Sequence, residues 1–171
     1  MLAIEPFTWA HWPELWQLHV WQLAEHGVFL PATVTPPDPA SPYEPDLHHI
    51  AEVYLTGIGN FWLAWWDRIP VGHIGAQDIG GAVELRRMYV RAEYRRRGIG
   101  VQLIRTLIAH SHNLGVSIVE LSTAADGPGR SLYTTLGFQV VDEPGQLYRQ
   151  SVAPYRYSPA PNEIRMRLTL A

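Results

Sequence analysis

The chain contains neither cysteine nor lysine among its 171 residues. The absence of cysteine excludes disulfide bonds, thiolate metal ligands and cysteine nucleophiles. All thirteen basic residues are arginine, so Schiff-base chemistry on a protein amine is excluded as well. The chemistry available to this chain therefore depends on oxygen-bearing and imidazole side chains and on the backbone.

Long apolar runs are also missing. No stretch approaches the roughly 20 residues that span a bilayer, and the first residues lack a basic region followed by an apolar segment. The length of 171 residues is typical of one domain. We therefore predict a single domain over residues 1–171, a cytoplasmic location and no contact with membranes.

Positive charge is concentrated in one short segment of a mildly acidic protein. The net charge is −3, yet six of the thirteen arginines lie between Arg86 and Arg97. Nucleic acid would favour a broader basic surface with interleaved aromatic residues, and the aromatic residues of this short cluster are only Tyr89 and Tyr94. The pattern predicts one polyphosphate ligand and no nucleic acid, with a solvated charged face as the plainer alternative.

A basic turn connects a predicted strand to a predicted helix. Residues 83–90 form a largely apolar run of strand length, and apolar residues recur at helical spacing over residues 101–110. Between them lies Arg95–Gly100, which reads Arg-Arg-Arg-Gly-Ile-Gly. Glycines leave the backbone open where a helix begins, so N–H groups without helical partners can point at one anion. This turn is therefore predicted to bind a phosphate or pyrophosphate.

Two other phosphate-binding patterns do not fit this turn. A dinucleotide-binding loop requires a third glycine, and Leu103 occupies its place. A Walker loop requires a lysine, which the chain lacks.

The strand, the R-x-x-G-x-G turn and the following helix resemble those of the GCN5-related N-acetyltransferases, the GNAT superfamily. Residues 126–138, which read Asp-Gly-Pro-Gly-Arg-Ser-Leu-Tyr-Thr-Thr-Leu-Gly-Phe, are similar to the second signature of that family. Two motifs in the right order are more specific than either alone. The sequence departs from the family where Asp126 replaces the usual asparagine and Gly129 a small helix-forming residue.

The fold class indicated is α/β, or α+β in some schemes, with a GNAT-like mixed sheet of six to seven strands and about four helices. An antiparallel meander leads into the strand at 83–90, and a crossover helix returns to a parallel strand at 116–122. The predicted strands are 2–8, 60–67, 69–79, 83–90, 116–122, 138–142 and 163–170, and the predicted helices are 10–26, 47–56, 99–113 and 128–136. A tight turn at Asp67 and Arg68 is predicted to join the second and third strands, and Asp46 is predicted to cap the helix at 47–56.

The resemblance assigns residues 83–142 to acetyl-CoA binding, and the elements at 10–57 and 143–162 to the acceptor side. It also implies that the strands at 83–90 and 116–122 splay apart to hold the cofactor, the opening being made by a bulge in the first. The cofactor-binding residues implied are Met88, Tyr89, Val90, Arg95, Arg96, Arg97, Gly98, Ile99, Gly100, Asp126, Arg130 and Tyr133.

Three side chains are candidates for the chemistry of acetyl transfer. Glu84 matches a family position whose glutamate acts through water, with pairing to Arg86 or Arg87 as the structural alternative. His73 is the second candidate for the base, since imidazole exchanges protons near neutral pH. By resemblance Tyr133 is the acid for the departing thiolate, although it could also be a core residue. Without cysteine, the mechanism expected is direct attack in a ternary complex.

The acceptor and the metal content are predicted from weaker patterns. Adjacent histidines at 48 and 49, and those at 110 and 112, lack ligand spacing, so no metal site is predicted. Aromatic residues in the first helix and in 143–162 suggest a small amine with apolar bulk, or a peptide, although tryptophans on an early helix are more often core. The alternative function is an acyl-CoA-binding regulatory module with little catalysis, and a homodimer is possible in either case.

Overall fold

A computed structural model describes residues 1–33, 36–141, 155 and 160–171. Among these residues, seven strands form one open sheet in the order β1-β2-β3-β4-β5-β7-β6. Every neighbouring pair is antiparallel except β4 and β5, so the sheet is mixed as predicted. The strands are β1 Leu2–Pro6, β2 Asn60–Trp66, β3 Ile69–Asp78, β4 Val83–Val90, β5 Ile118–Ala124, β6 Gln139–Val141 and β7 Glu163–Thr169.

Five α-helices flank the sheet within the described ranges, one more than predicted. They are α1 Trp12–Ala24, α2 Pro45–His48, α3 Ile50–Val53, α4 Ile99–Asn113 and α5 Pro128–Thr135. The predicted helix at 47–56 is divided because His49 leaves helical geometry at φ −112° and ψ 36°. Asp46 is therefore not the helix cap that its position suggested, but lies inside α2 with its carboxylate buried.

The sheet separates two apolar layers, because successive residues of a strand point to opposite faces. On β2, Phe61 and Leu63 pack with α1 and the 45–54 region, whereas Trp62 packs on the side of α4. Burial of each large apolar side chain contributes roughly 1.5–3 kcal/mol to folding. Both faces of the sheet centre are thus covered, and a ligand can enter only where neighbouring strands part.

The strands β4 and β5 part after two residue pairs. Val83 pairs with Val119 and Glu84 with Glu120, and no further pair between these strands occurs in the described part of the chain. The backbone edge of β4 that faces β5 is consequently open from Arg86 onward. This confirms the predicted separation of the two strands.

Most of the predicted acceptor-side segment 143–162 lies outside the described residues. The exception within its middle is Tyr155, whose ring stacks on His49 at 5.0 Å and whose carbonyl oxygen accepts a hydrogen bond from Arg86 at 2.6 Å. A helix long and apolar enough to cross a membrane does not occur among the residues described.

Candidate active site

A β-bulge in β4 re-aims the strand at the point where it leaves β5. His73 lies opposite Tyr89, and Gly75 lies opposite Arg86, so Arg87 and Met88 together face the single residue Ile74. Arg87 adopts a left-handed backbone conformation with φ 55°. The bulge implied by the family resemblance is therefore present, and it directs the backbone near Met88 toward the gap.

One cleft of about 570 Å³ lies against the basic turn. Eight of the predicted cofactor-binding residues, all from β4 and the turn, line one side of this cleft. Residues of α5 line the opposite side. The lining residues from the predicted set are Met88, Tyr89, Val90, Arg95, Arg96, Gly98, Ile99 and Gly100. The structure thus brings the strand edge and the helix start into one concave surface.

The geometry of the helix start suits an anion. Gly98 takes φ 78°, which favours glycine, and the first helical hydrogen bond runs from the Gln102 N–H to the Gly98 carbonyl at 3.0 Å. The N–H groups of Ile99, Gly100 and Val101 therefore precede the helical ladder and stand at the positive end of the helix dipole. A Cβ at Gly100 would approach the Met88 Cε to 3.0 Å, so a side chain there would narrow the passage.

The three arginines of the turn have different surroundings. Arg95 is bound to the protein, since it donates to the Val90 carbonyl at 2.9 Å and to Glu25 at 2.5 Å. The Arg97 guanidinium lies over the rings of Trp66 and Tyr94, with centroid distances of 5.4 and 5.1 Å, and it is not among the residues that line the clefts described. Arg96 lines the cleft with an exposed side chain.

A second cleft of about 730 Å³ continues from the first. The two share Gln22, His26, Met88 and Pro128 as lining residues, so they form one passage. The wall of the second cleft is largely polar and contains two carboxylates and two guanidiniums, from Glu44, Glu163, Arg86 and Arg87. Their formal charges cancel.

Tyr133 lines the second cleft from α5, with only 6% of its surface exposed. Its ring packs edge-on against Phe138 at 5.7 Å. Burial raises the pKa of the Tyr133 phenol, so the hydroxyl retains its proton at neutral pH. A neutral phenol in this position can donate a proton to a group in the cleft.

Asp126 and Arg130 lie outside both described clefts. Asp126 is exposed on the turn that precedes α5, and Arg130 donates to the Ala125 carbonyl at 3.1 Å. The structure therefore does not join this pair to Tyr133, although all three come from one motif.

Glu84 lies beneath the second cleft and is fully buried. One of its oxygens accepts a hydrogen bond from Arg165 at 2.9 Å, and the same Arg165 nitrogen donates to Ser122, which lines the cleft. Arg165 also bonds Glu120 at 3.1 Å. Glu84 is thus connected to the cleft through a buried ion network that includes Arg165.

His73 lies on β3 behind the bulge and is also fully buried. Its Nδ1–H donates to the Arg87 carbonyl at 2.5 Å. Burial, together with the neighbouring side chains of His19 and Arg87, lowers the pKa of His73 to about 3. The hydrogen bond to the Arg87 carbonyl would raise this pKa but is outweighed. The ring is therefore neutral at physiological pH and supports the bulge.

Two cleft residues were not predicted from the sequence. Gln22 lies in the last turn of α1 and His26 in the turn that follows the helix, and both line the two clefts together with Met88. Because His26 lies outside the helix, helical periodicity gives no signal that joins it to Gln22. The tryptophans Trp12 and Trp16 of α1 are core residues with 2% and 3% exposure.

No cluster of three or more potential metal-ligating side chains occurs in the described ranges. The passage between the strands is lined by the open edge of β4, the glycine turn and polar side chains.

Comparison with known proteins agrees with this geometry. Residues 57–140 match the family model described as "Acetyltransferase (GNAT) domain". A Schizosaccharomyces pombe protein named as an uncharacterised N-acetyltransferase is 34% identical over 104 residues, which are 59% of this chain and 57% of that protein. The chain spans about half the length of the curated relatives it matches.

Two solved structures share the fold over nearly the whole chain. A GNAT-family acetyltransferase from Staphylococcus aureus has a TM-score of 0.77 at 22% identity and covers 100% of both chains. The PaiA N-acetyltransferase of Thermoplasma acidophilum, determined in complex with coenzyme A, has a TM-score of 0.69 at 19% identity and covers 99% of both.

Proposed function

Because this chain belongs to the GCN5-related N-acetyltransferase superfamily, we propose that it transfers an acetyl group from acetyl-CoA directly to a primary amine of a small molecule or peptide. The observation that carries the proposal is the continuous passage between β4 and β5, from the glycine turn past Met88 to Tyr133. An extended thioester bound along it has its phosphates at one end and its reactive carbon at the other.

The donor is held mainly by backbone groups. The N–H groups from Arg96 to Gly100 receive the pyrophosphate, with the Arg96 side chain adding charge. The open edge of Met88–Val90 pairs with the amide groups of the pantetheine arm as an added strand does. A Thermoplasma protein of the same fold was determined in complex with coenzyme A, which supports coenzyme A as the ligand.

The reaction forms a C–N bond and breaks a C–S bond. The amine nitrogen attacks the thioester carbon, and the Met88 N–H stabilises the oxyanion that develops on the carbonyl oxygen. As the intermediate collapses, the sulfur leaves and takes a proton from the Tyr133 hydroxyl. The attacking nitrogen releases its proton to a base or to water.

His26 is the proposed base because, like Met88, it lines both clefts of the passage. A histidine side chain can accept a proton at neutral pH and release it again. Glu84 would have to act through Arg165, Ser122 and water, and the Nδ1 of His73 is engaged with a backbone carbonyl. Among the three, His26 has the most direct access to a bound amine.

The acceptor proposed is an amine of low net charge, such as an amino acid or a peptide end. The second cleft has two carboxylates and two guanidiniums, so its lining offers no net attraction to a strongly cationic polyamine. The apolar bulk expected from the tryptophans of α1 has less support, since Trp12 and Trp16 are buried in the core.

The proposal is tested by calorimetric titration with coenzyme A, followed by thiol release from acetyl-CoA with amino acids, peptide N-termini, polyamines and aminoglycosides. Binding together with turnover of at least one amine is the expected result. Binding without turnover would favour the non-catalytic acyl-CoA-binding module. Absence of binding would refute the assignment of the passage.

The role of His26 is tested by chemical rescue. His26→Ala should lower kcat by about 100-fold, which is within the range for loss of a general base. Added imidazole should restore part of the rate, because the cleft is open to solvent at this point. His112→Ala, which removes an exposed histidine of α4, should leave the rate unchanged and give no response to imidazole. A His26→Ala rate that imidazole does not raise would contradict the role.

A further inference from the structure

The bulge in β4 is held from the acceptor side by an ion cluster that contains two left-handed residues. Arg87 has φ 55° and Glu44 has φ 53°, and their side chains form an ion pair with each other. Residues with a Cβ are disfavoured in this region of backbone space. Two such residues in direct contact require surrounding interactions that fix both.

Asp46 supplies the central interaction of this cluster. Its two oxygens accept hydrogen bonds from the Arg87 Nε at 2.8 Å and from the Arg87 Nη2 at 2.5 Å, which is the bidentate arrangement of a carboxylate with a guanidinium. The Tyr54 hydroxyl donates to one of the same oxygens at 2.5 Å. The Asp46 side chain is only 3% exposed.

The electrostatics of the cluster favour its charged form. Burial alone would raise the pKa of the Asp46 carboxyl, but the hydrogen bonds and charge of Arg87 hold that pKa well below its usual range. Burial alone would lower the pKa of the Arg87 guanidinium, but the hydrogen bonds and charge of Asp46 raise that pKa above its usual value. The pair is therefore ionised at any pH at which the protein is assayed.

The opposite end of Arg87 is fixed through its backbone. The His73 Nδ1–H donates to the Arg87 carbonyl, so the peptide that joins Arg87 to Met88 is fixed at its oxygen. Because a peptide unit is planar, the orientation of that oxygen also sets the direction of the Met88 N–H. The guanidinium of Arg87 is held by Asp46 and its carbonyl by His73, with the strained residue between them.

We infer that Asp46 is a positioning residue for acetyl transfer, which acts through Arg87 to aim the Met88 N–H at the thioester carbonyl. Asp46 does not line either described cleft, whereas Glu44, Arg87 and Met88 do. The inference depends on the proposed function, because it assigns a purpose to the bulge in that reaction. It also connects the acceptor cleft, through Glu44, to the group that stabilises the oxyanion.

The variant Asp46→Asn keeps the shape of the side chain and removes its charge. We expect kcat to fall by about 10- to 100-fold, because the Met88 N–H would be misplaced relative to the thioester carbonyl. The KM for acetyl-CoA should change by less than about threefold. Glu52→Gln, on an exposed carboxylate of α3, is the matched control and should change neither constant. A fall in thermal stability with unchanged kcat would overturn the inference.

A second substitution separates positioning from simple destabilisation. We call the contacts of Asp46 and His73 with Arg87 the clamp, because they fix its side chain and its carbonyl. Glycine accepts a left-handed backbone without strain, so the variant Arg87→Gly does not need the clamp. In the Arg87→Gly background, Asp46→Asn should therefore cause little further loss of kcat, and the two changes should be strongly non-additive. Equal effects of Asp46→Asn in both backgrounds would refute the inference, because Asp46 would then act independently of Arg87.

Hydrogen exchange of the backbone amides gives a readout that does not require turnover. Asp46→Asn should accelerate exchange at Arg86 and Tyr89, the residues of β4 that pair with β3 on either side of the bulge, relative to the Glu52→Gln control, with Arg87→Gly as the comparison, in protein without substrates. If Asp46→Asn accelerates this exchange but the parent protein acetylates no amine, the clamp is upheld and the proposed function is refuted. Unchanged exchange would overturn the clamp whatever the activity.

Discussion

The neutral, buried His73 makes a definite prediction about stability and pH. The folded protein holds this ring with a pKa of about 3, whereas the ordinary value is 6.5. Below about pH 6.5 the unfolded chain therefore binds a proton that the folded chain does not bind until near pH 3. The contribution of His73 is fully present above pH 6.5 and is lost as the pH falls below it.

The size of this effect follows from the pKa difference. Between about pH 6.5 and pH 5 the loss is about 1.4 kcal/mol per pH unit, or about 2 kcal/mol in total. Glu44 adds little over this interval, since its pKa is lowered to about 2, where burial is outweighed by His19 and Arg87. The lowered pKa of His48, caused mainly by burial, contributes in the same direction and remains in a His73 variant.

The substitution His73→Asn removes the titrating group and retains a side-chain N–H that can donate to the Arg87 carbonyl. Urea unfolding, followed by tryptophan fluorescence at about pH 7.5 and about pH 5, should show about 2 kcal/mol less pH-dependent loss in the variant than in the parent protein. His112→Asn is the control, because that histidine is exposed. Parallel pH dependence in His73→Asn and the parent would refute the neutral, buried state of this ring.

Three further substitutions test the passage itself. Gly100→Ala should weaken coenzyme A binding at least about 10-fold in calorimetry, because the added methyl would approach the Met88 Cε and narrow the passage. The stability of the protein should not fall, because alanine favours a helix over glycine by about 1 kcal/mol. Undiminished affinity would contradict the assignment of the glycine turn as the pyrophosphate site. Tyr133→Phe should lower kcat about 10- to 100-fold in steady-state assays without raising KM for acetyl-CoA, and an unchanged kcat would exclude the phenol as the acid. Glu84→Gln should cost about 3 kcal/mol of unfolding free energy, because it removes one negative charge from the buried ion network around Arg165, and kcat should stay within a few-fold of the parent. A selective loss of kcat would instead support the base role predicted for Glu84.

Local patterns predicted the elements that depend on short-range chemistry. The strand at 83–90, the glycine turn and the helix at 99–113 have the bounds expected, because apolar periodicity and a glycine with positive φ are encoded in adjacent residues. The hairpin turn at Asp67 and Arg68 was also predicted, and both residues adopt positive φ there. The separation of β4 from β5 came from the family resemblance rather than from any pattern in the residues.

Long-range contacts account for what the sequence could not predict. Asp46 and Arg87 are 41 residues apart, and Glu84 and Arg165 are 81 residues apart, so neither pairing leaves a local signal. The assignment of Asp46 as a helix cap followed a sound local preference that tertiary contact overrode. His26 was not predicted, because its place in the lining of both clefts depends on how the chain around α1 packs against the sheet.

The order of the strands has a consequence for how the molecule is made. β7 follows β6 in the sequence but lies between β5 and β6 in the sheet. During synthesis β6 can therefore join the sheet only after residues 163–169 have been made and have formed β7. Until then Glu84 and Glu120 lie opposite each other without the guanidinium of Arg165. Two like charges side by side resist burial, so a nascent chain that stops short of β7 would expose this part of its interior to chaperones and proteases.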